Sequence, residues 1–380
     1  MKSVAILLFV CMLVSCTRQN STKEEFEYID IKLEQSKNSV NLSDIVDSID
    51  YVSLETNPEY LIGAIDKLIM DDTGNYLIVD KEITKTILRF DPEGKFINKI
   101  GCTGQAPNEY VTITDVAYAD EKVYVWDCTS RKLLIYSVSG EFISNHKFDY
   151  IARSVLYLGN DRLAFCCDYI PNQKLLSDDG YPSVMIYDMK SDEIYPKTFF
   201  DKNISSLGYM SLLNNLCDNN LYLPLNDTIY NMTVSGPEVK YVLSYDEKYK
   251  RNKEEYIERS KVEKLTADDA TESFMKGNYP HLISFFEGDE KCLMFMRMKE
   301  MLYYGFFDKR TKEYMEASSE SLPVVNDIDG VALFMPRYMD GNVVYSVIDP
   351  LYIMMENEAL AQKMKLVEDG NPILVKMYMK

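Results

Sequence analysis

Apolar residues recur at every second position in two decapeptides, LRFDPEGKFI at 88–97 and LIYSVSGEFI at 134–143. In register, Leu88 matches Leu134, Phe90 matches Tyr136, Gly94 matches Gly140, and Phe96 matches Phe142. Alternation around a polar turn that ends in Gly describes a β-hairpin. The two hairpins lie 46 residues apart, and hairpins recurring at a period in the forties predict propeller blades. Followed along the chain, the pattern predicts six blades: 64–101, 115–148, 154–200, 209–245, 281–317 and 328–355. The second strands of the first two end at Asp80 and Asp127, where a carboxylate can accept hydrogen bonds from turn N–H groups.

Two interruptions modify that rhythm. The step from Asn231 to Asp308 is 77 residues, against 43 from Asp188 to Asn231, so an insertion is expected over 246–280. Within it, 246–275 is rich in charge and lacks Pro, with Tyr249, Tyr256, Ile257, Val262 and Leu265 spaced as on amphipathic helices. A second helical pattern covers 351–366 and is stopped by Asn371-Pro372. The Met-rich runs there and in KCLMFMRMKEM read as adaptable core. Strand patterns at 26–33, 49–54 and 372–379 flank the repeats, with a helical turn at 42–46 between the first two. Pairing strands from opposite termini would remove the open edge. The expected fold is therefore all-β: a six-bladed β-propeller closed by its terminal strands, with a helical insertion between blades four and five.

Charge narrows the partners. The formal net charge is −19, with 60 acidic and 41 basic residues, and such a field repels nucleic acid and anionic membrane surfaces. Two His, His146 and His281, and six Cys after the leader, none in a C-x-x-C pair, offer no zinc-ligand spacing. No cofactor is expected. The six thiols, Cys102, Cys128, Cys166, Cys167, Cys217 and Cys292, can pair or stay free and buried; on a strand, Cys166 and Cys167 point to opposite faces.

The first 15 residues consist of Lys2, an apolar stretch too short to span a bilayer, and Ser15 before Cys16. LVSC at 13–16 resembles the lipobox of bacterial lipoproteins, which implies acylation of Cys16 and a membrane contact through that lipid only. Residues 16–26 read as a flexible tether and 27–380 as the propeller, with a body expected to be monomeric. Thr17 after the lipidated Cys implies the outer membrane, with either its periplasmic or its outer face open.

Together with the lipobox, DSIDYVSLET at 47–56, LIGAIDKL at 61–68, FDPEGKFI and GCTGQAPNEY at 101–110 resemble the six-bladed β-propeller lipoproteins of Bacteroidetes. That family is distantly similar to NHL-repeat propellers. The last motif is similar to the family's G-x-G-x-GPGEY loop, with Ala106 and Asn108 standing where Gly is usual. The resemblance implies a fold and an envelope location and carries over no catalytic residue.

Two functions follow. The first is a binding or scaffold module for a glycan, a peptide or an envelope protein, since aromatic and amide-rich loops are plentiful and no nucleophile motif or phosphate loop appears. The alternative is a lyase or hydrolase sited in the channel and acting on an envelope or dietary polymer, which needs a metal or a close carboxylate pair. Candidate ligand contacts are Trp126, Arg131, Glu109 and Tyr110. Trp126 can stack on a sugar or fill the seam between blades, and Arg131 sits in a loop that an anion can reach.

Overall fold

The computed structural model describes residues 26–200, 216–217, 219–263, 265–320, 323–331 and 336–380. Six sheets, each antiparallel across its four blade strands, are arranged as propeller blades, and in blades one to five the chain steps from an inner strand to its neighbour three times. Blade one is Lys67–Met70, Tyr76–Asp80, Thr86–Phe90 and Phe96–Lys99; blade two runs from Asp115–Ala119 to Phe142–Lys147. Blade three spans Ser154–Gly159 to Glu193–Phe200, blade four Leu216–Cys217 to Gly236–Ser244, and blade five His281–Glu287 to Tyr314–Ser319.

Blade six closes the ring. Its strands Tyr338–Asp340, Val343–Ile348 and Ile373–Met379 are completed by Val46–Ser53 from the other end of the chain. Ile373 pairs with Ser53 and Met379 with Val46, so Ile373–Met379 is paired along both of its edges. The expected terminal closure is thus present. Tyr338–Asp340 takes the inner position expected for GVALFMP; residues 332–335 of that run lie outside the described residues, as does the expected start of blade four at 209.

Strict alternation explains the core. In the strand YLIVD, Leu77 and Val79 pack with Val116, Val123 and Val125 of blade two. Tyr76 and Ile78 point the other way, against Tyr345 and Leu374 of blade six. The same division gives buried clusters at the seams between blades two and three, three and four, four and five, and five and six. Period-2 alternation with both faces buried is what stacked blades require.

The recurring Gly has a double reason. Gly94 and Gly140 close equivalent turns with φ of 83° and 95°. A Cβ on Gly94 would lie 2.2 Å from Ser53 O and one on Gly140 2.6 Å from Lys99 O, so each turn abuts the outer strand of the preceding blade.

The N-terminal strand does not share in the closure. Glu27–Asp30 pairs in parallel with the outer strand of blade four, Glu27 opposite Tyr241 and Asp30 opposite Ser244. The chain then bridges to blade five, Lys37 against Ala317, and pairs Val40 and Asn41 with Val324 and Val325 before entering blade six. It forms a belt across the outer rims of three blades. Ile29, Ile31 and Leu33 are its buried anchors.

The insertion folds as two helices, α1 (Glu247–Val262) and α2 (Ala267–Lys276). Thr266 and Asp269 form a capping box that starts α2. Tyr256 and Leu265 pack on Tyr181 and Phe200 of blade three. The helix expected over 351–366 is divided into α3 (Pro350–Glu356) and α4 (Glu358–Met364). Asn357 ends the first and caps the second by accepting from Leu360 N–H at 3.0 Å.

Candidate binding face

Four antiparallel strands return the chain to the side on which the blade began. The loops between second and third strands, and the connections between blades, therefore open on one face of the ring, while the remaining turns open on the other. Those remaining turns are short, as at 71–75, 91–95 and 137–141. The long segments 54–66, 100–114, 167–180, 245–280 and 349–372 all belong to the first face. Loops that differ from a repeating scaffold are where binding surfaces are built.

Buried polar side chains staple these connections together. Asp80 accepts from the N–H groups of Gly63, Ala64, Ile83 and Thr84 at 2.8–3.1 Å. Asp127 does the same for blade two, accepting from Val111 N–H at 2.7 Å, Ser130 N–H at 3.1 Å and the hydroxyls of Thr112 and Ser130. Burial opposes the ionised form of both carboxylates, and the hydrogen bonds outweigh it and hold their pKa values low. In blade three the amide of Asn172 grips Ile151 at both its N–H and its carbonyl. The second-strand Asp is loop architecture.

Beneath this face the inner strands carry an ion cluster. Asp115 Oδ1 lies 3.0 Å from Lys67 Nζ and 3.3 Å from Lys81 Nζ, and its other oxygen accepts from Val155 N–H at 3.0 Å. Burial disfavours the Asp115 charge, yet Lys67 and Lys81 hold it ionised, while burial pulls the Lys81 pKa down. The carboxylate joins three blades through these bonds.

The 101–110 loop is held by carbonyls turned inward. Lys132 Nζ donates to Glu109 O at 2.8 Å, Tyr136 Oη to Asn108 O at 2.9 Å and Asn145 Nδ2 to Pro107 O at 2.8 Å. Glu109 Oε2 accepts from Ala106 N–H at 2.9 Å. Tyr110 is buried, its hydroxyl 3.3 Å from Lys85 O. Neither Ala106 nor Asn108 is among the residues with positive φ, so those positions do not require Gly. At Gly104 a Cβ would lie 1.8 Å from a Glu109 carboxylate oxygen, so a side chain there would displace the Glu109 carboxylate.

The four proposed contacts are not gathered into one site. Trp126 is fully buried between blades two and three, donating from Nε1 to Ala152 O at 2.8 Å and meeting Phe165 edge to face, so it has no surface for a sugar. Tyr110 is equally enclosed, and Glu109 serves its own loop. Arg131 alone is exposed on the long-loop face. Cys16 lies outside the described residues. Cys102, Cys128, Cys167 and Cys292 are free thiols, and Cys166 and Cys167 lie in different seams.

Sequence reasoning missed the exposed apolar groups. Met294 and Met296 are core, as expected, but Met354 and Met355 of α3 are 37% and 74% exposed. Helical spacing shows which residues share a face, not which face is covered. His146 bonds Tyr187 and His281 donates from Nε2 to Ser273 O at 3.2 Å. Among the described residues no three His, Cys, Asp or Glu side chains converge as a metal site would require.

Residues 26–378 match the family described as a domain of unknown function, DUF4934, and the chain belongs to that family. No curated protein matches it. Among solved structures, it is similar to a putative exported protein of Bacteroides fragilis, 17% identical, with a TM-score of 0.73 over 93% of this chain and 99% of that one. A member of the duf4221 family from Bacteroides vulgatus, 12% identical, has a TM-score of 0.52 over 91% of this chain and 99% of its own. At these identities the likeness concerns the fold.

Proposed function

We propose that this protein is an extracytoplasmic binding or scaffold module, carried on the outer membrane by a lipid on Cys16, with residues 27–380 as a monomeric body. Its partner is a glycan, a peptide or another envelope protein, and it engages the long-loop face. The observation that carries this reading is the asymmetry of the ring. Among the described residues, the turns between first and second and between third and fourth strands are short, while the long segments 54–66, 100–114, 167–180, 245–280 and 349–372, with the helices α1 to α4, lie on the other side. The exported relative from Bacteroides fragilis supports the location.

The test is a glycan and peptide array probed with the soluble body from residue 22 onward, with and without residues 246–275. Retention of a ligand class, reduced by changes on the long-loop face, is the expected result. Binding to nothing would leave a structural or protein-partner role, and turnover of a polymer would replace the reading with the enzyme.

A further inference from the structure

The helix α3 turns only Ile353 and Pro350 into the protein. Leu351, Tyr352, Met354 and Met355 are exposed, so four of its seven residues offer apolar surface to solvent. Such a density of outward apolar groups on one short helix marks an interaction surface.

The surface continues across two blades. Gly370 sits against Val367 and Pro350, since a Cβ added there would lie 3.3 Å from Val367 Cγ2 and 3.5 Å from Pro350 Cγ. Its neighbour Asn371 accepts from Ile62 N–H at 2.9 Å and donates to Tyr60 O at 3.2 Å, which brings exposed Leu61 alongside. Ile83 then lies against Gly63, and it is 66% exposed. Exposed Val367, Leu61 and Ile83 stand on the segments joined in this way, from blade six to blade one.

Charge identifies the occupant. The exposed ionisable residues on the same segments include Glu59, Glu82, Glu356, Glu358, Glu368 and Asp369, against exposed Lys363 and Lys365. An apolar strip bordered mainly by carboxylates repels an anionic lipid surface and complements a segment that is apolar on one side and basic at its margins. Methionine adapts its shape to such a segment without demanding one sequence.

The geometry points to docking of a cationic amphipathic peptide segment of a protein partner on the Met-Tyr strip formed by α3, Val367, Leu61 and Ile83. This inference rests on the assignment of the long-loop face as the binding face, and it names the partner class. The segment lays its apolar side along Tyr352 and Met355, while its basic residues meet the carboxylate margin.

The experiment uses the soluble body and a synthetic helix-forming peptide of Leu and Lys at amphipathic spacing. Its controls are the same peptide with Glu for Lys, a scrambled Leu-Lys peptide, and vesicles of anionic phospholipid. Binding is read by fluorescence anisotropy and by the 13C-methyl resonances of methionine, with those of Met354 and Met355 assigned by substitution. The expected result is micromolar binding of the amphipathic Lys peptide alone, with shifts at Met354 and Met355 and a loss of about tenfold or more in Tyr352→Ser/Met355→Ser. Both positions are exposed, and an unchanged melting temperature in that variant verifies the fold.

Absence of binding, equal binding of the scrambled peptide, or an undiminished affinity in the double variant overturns the inference. Vesicle binding through the same residues also overturns it, in favour of a membrane. Failure of the Leu-Lys peptide, with an array ligand that binds elsewhere on the long-loop face and ignores the double variant, overturns this inference alone. One that maps to the short-turn face overturns the assignment of the face as well.

Discussion

The Tyr314 hydroxyl donates to Glu316 Oε2 at 2.7 Å, while Oε1 of the same buried residue has no hydrogen-bond partner among the described residues. Both residues lie on the outer strand of blade five beneath the N-terminal belt, whose Lys37 N–H donates to Glu316 O at 3.1 Å. Burial raises the Glu316 pKa to about 7, against the partial relief of the Tyr314 bond. A folded-state value above the unfolded 4.5 means the fold binds more protons between the two, so the contribution of Glu316 to stability falls as pH rises through that window. The full loss above pH 7 is roughly 3 kcal/mol.

His281 acts oppositely over nearly the same range. Burial lowers its pKa to about 4, so its contribution is present above the unfolded 6.5 and is lost as pH falls toward 4. The wild-type curve therefore mixes two opposed slopes, and the difference between Glu316→Gln and wild type isolates one. That difference in urea-unfolding free energy should be near zero at pH 4.5 and grow in favour of Glu316→Gln up to about pH 7. A constant difference would show that Glu316 does not titrate under the belt.

Asp115 carries a second prediction. Asp115→Asn leaves Lys67 and Lys81 without their shared counter-charge, and breaking a buried pair from one side costs about 3–5 kcal/mol. Lys81→Met removes one of two cations competing for a single carboxylate and should cost less than about 1 kcal/mol. Chemical denaturation of the two variants checks the asymmetry, and equal losses would contradict it.

Asn371 joins the closing blade to blade one. It accepts from Ile62 N–H and donates to the carbonyls of Glu55 and Tyr60, while its own N–H reaches Thr56 Oγ1 at 2.8 Å. Asn371→Ala would orphan one N–H and two carbonyls at the seam, for a loss of about 2–4 kcal/mol. Amide exchange at Ile62 should accelerate with it, and an unchanged rate would place the closing energy elsewhere.

The decapeptide at 88–97 made the blades legible because alternation and turn Gly are local requirements. The jump from Asn231 to Asp308 revealed α1 and α2 for the same reason: a repeat has an expected spacing. Backbone pairing has no comparable signature. The strand pattern at 26–33 is visible in the sequence, but its parallel place beside Tyr241–Ser244 depends on hydrogen bonds that any residue can make. The run YMEASS places Tyr314 and Glu316 on one face; that this face is buried follows from its packing in the seam with blade four and the belt. Met354 and Met355 read as core from a helical pattern over 351–366 taken as one element, but Asn357 ends α3 and starts α4, so the two halves do not share one face. Trp126 offered both readings, and the aromatic cluster around it in the seam decides for packing.

The central claim is that ligands are taken on the long-loop face. Hydrogen exchange of the soluble body, with and without a ligand selected on the array, tests it most directly. The account predicts slowed exchange within 54–66, 81–85, 100–114 or 349–372, with the turns at 71–75, 91–95 and 137–141 unchanged. Protection confined to those short turns would contradict it.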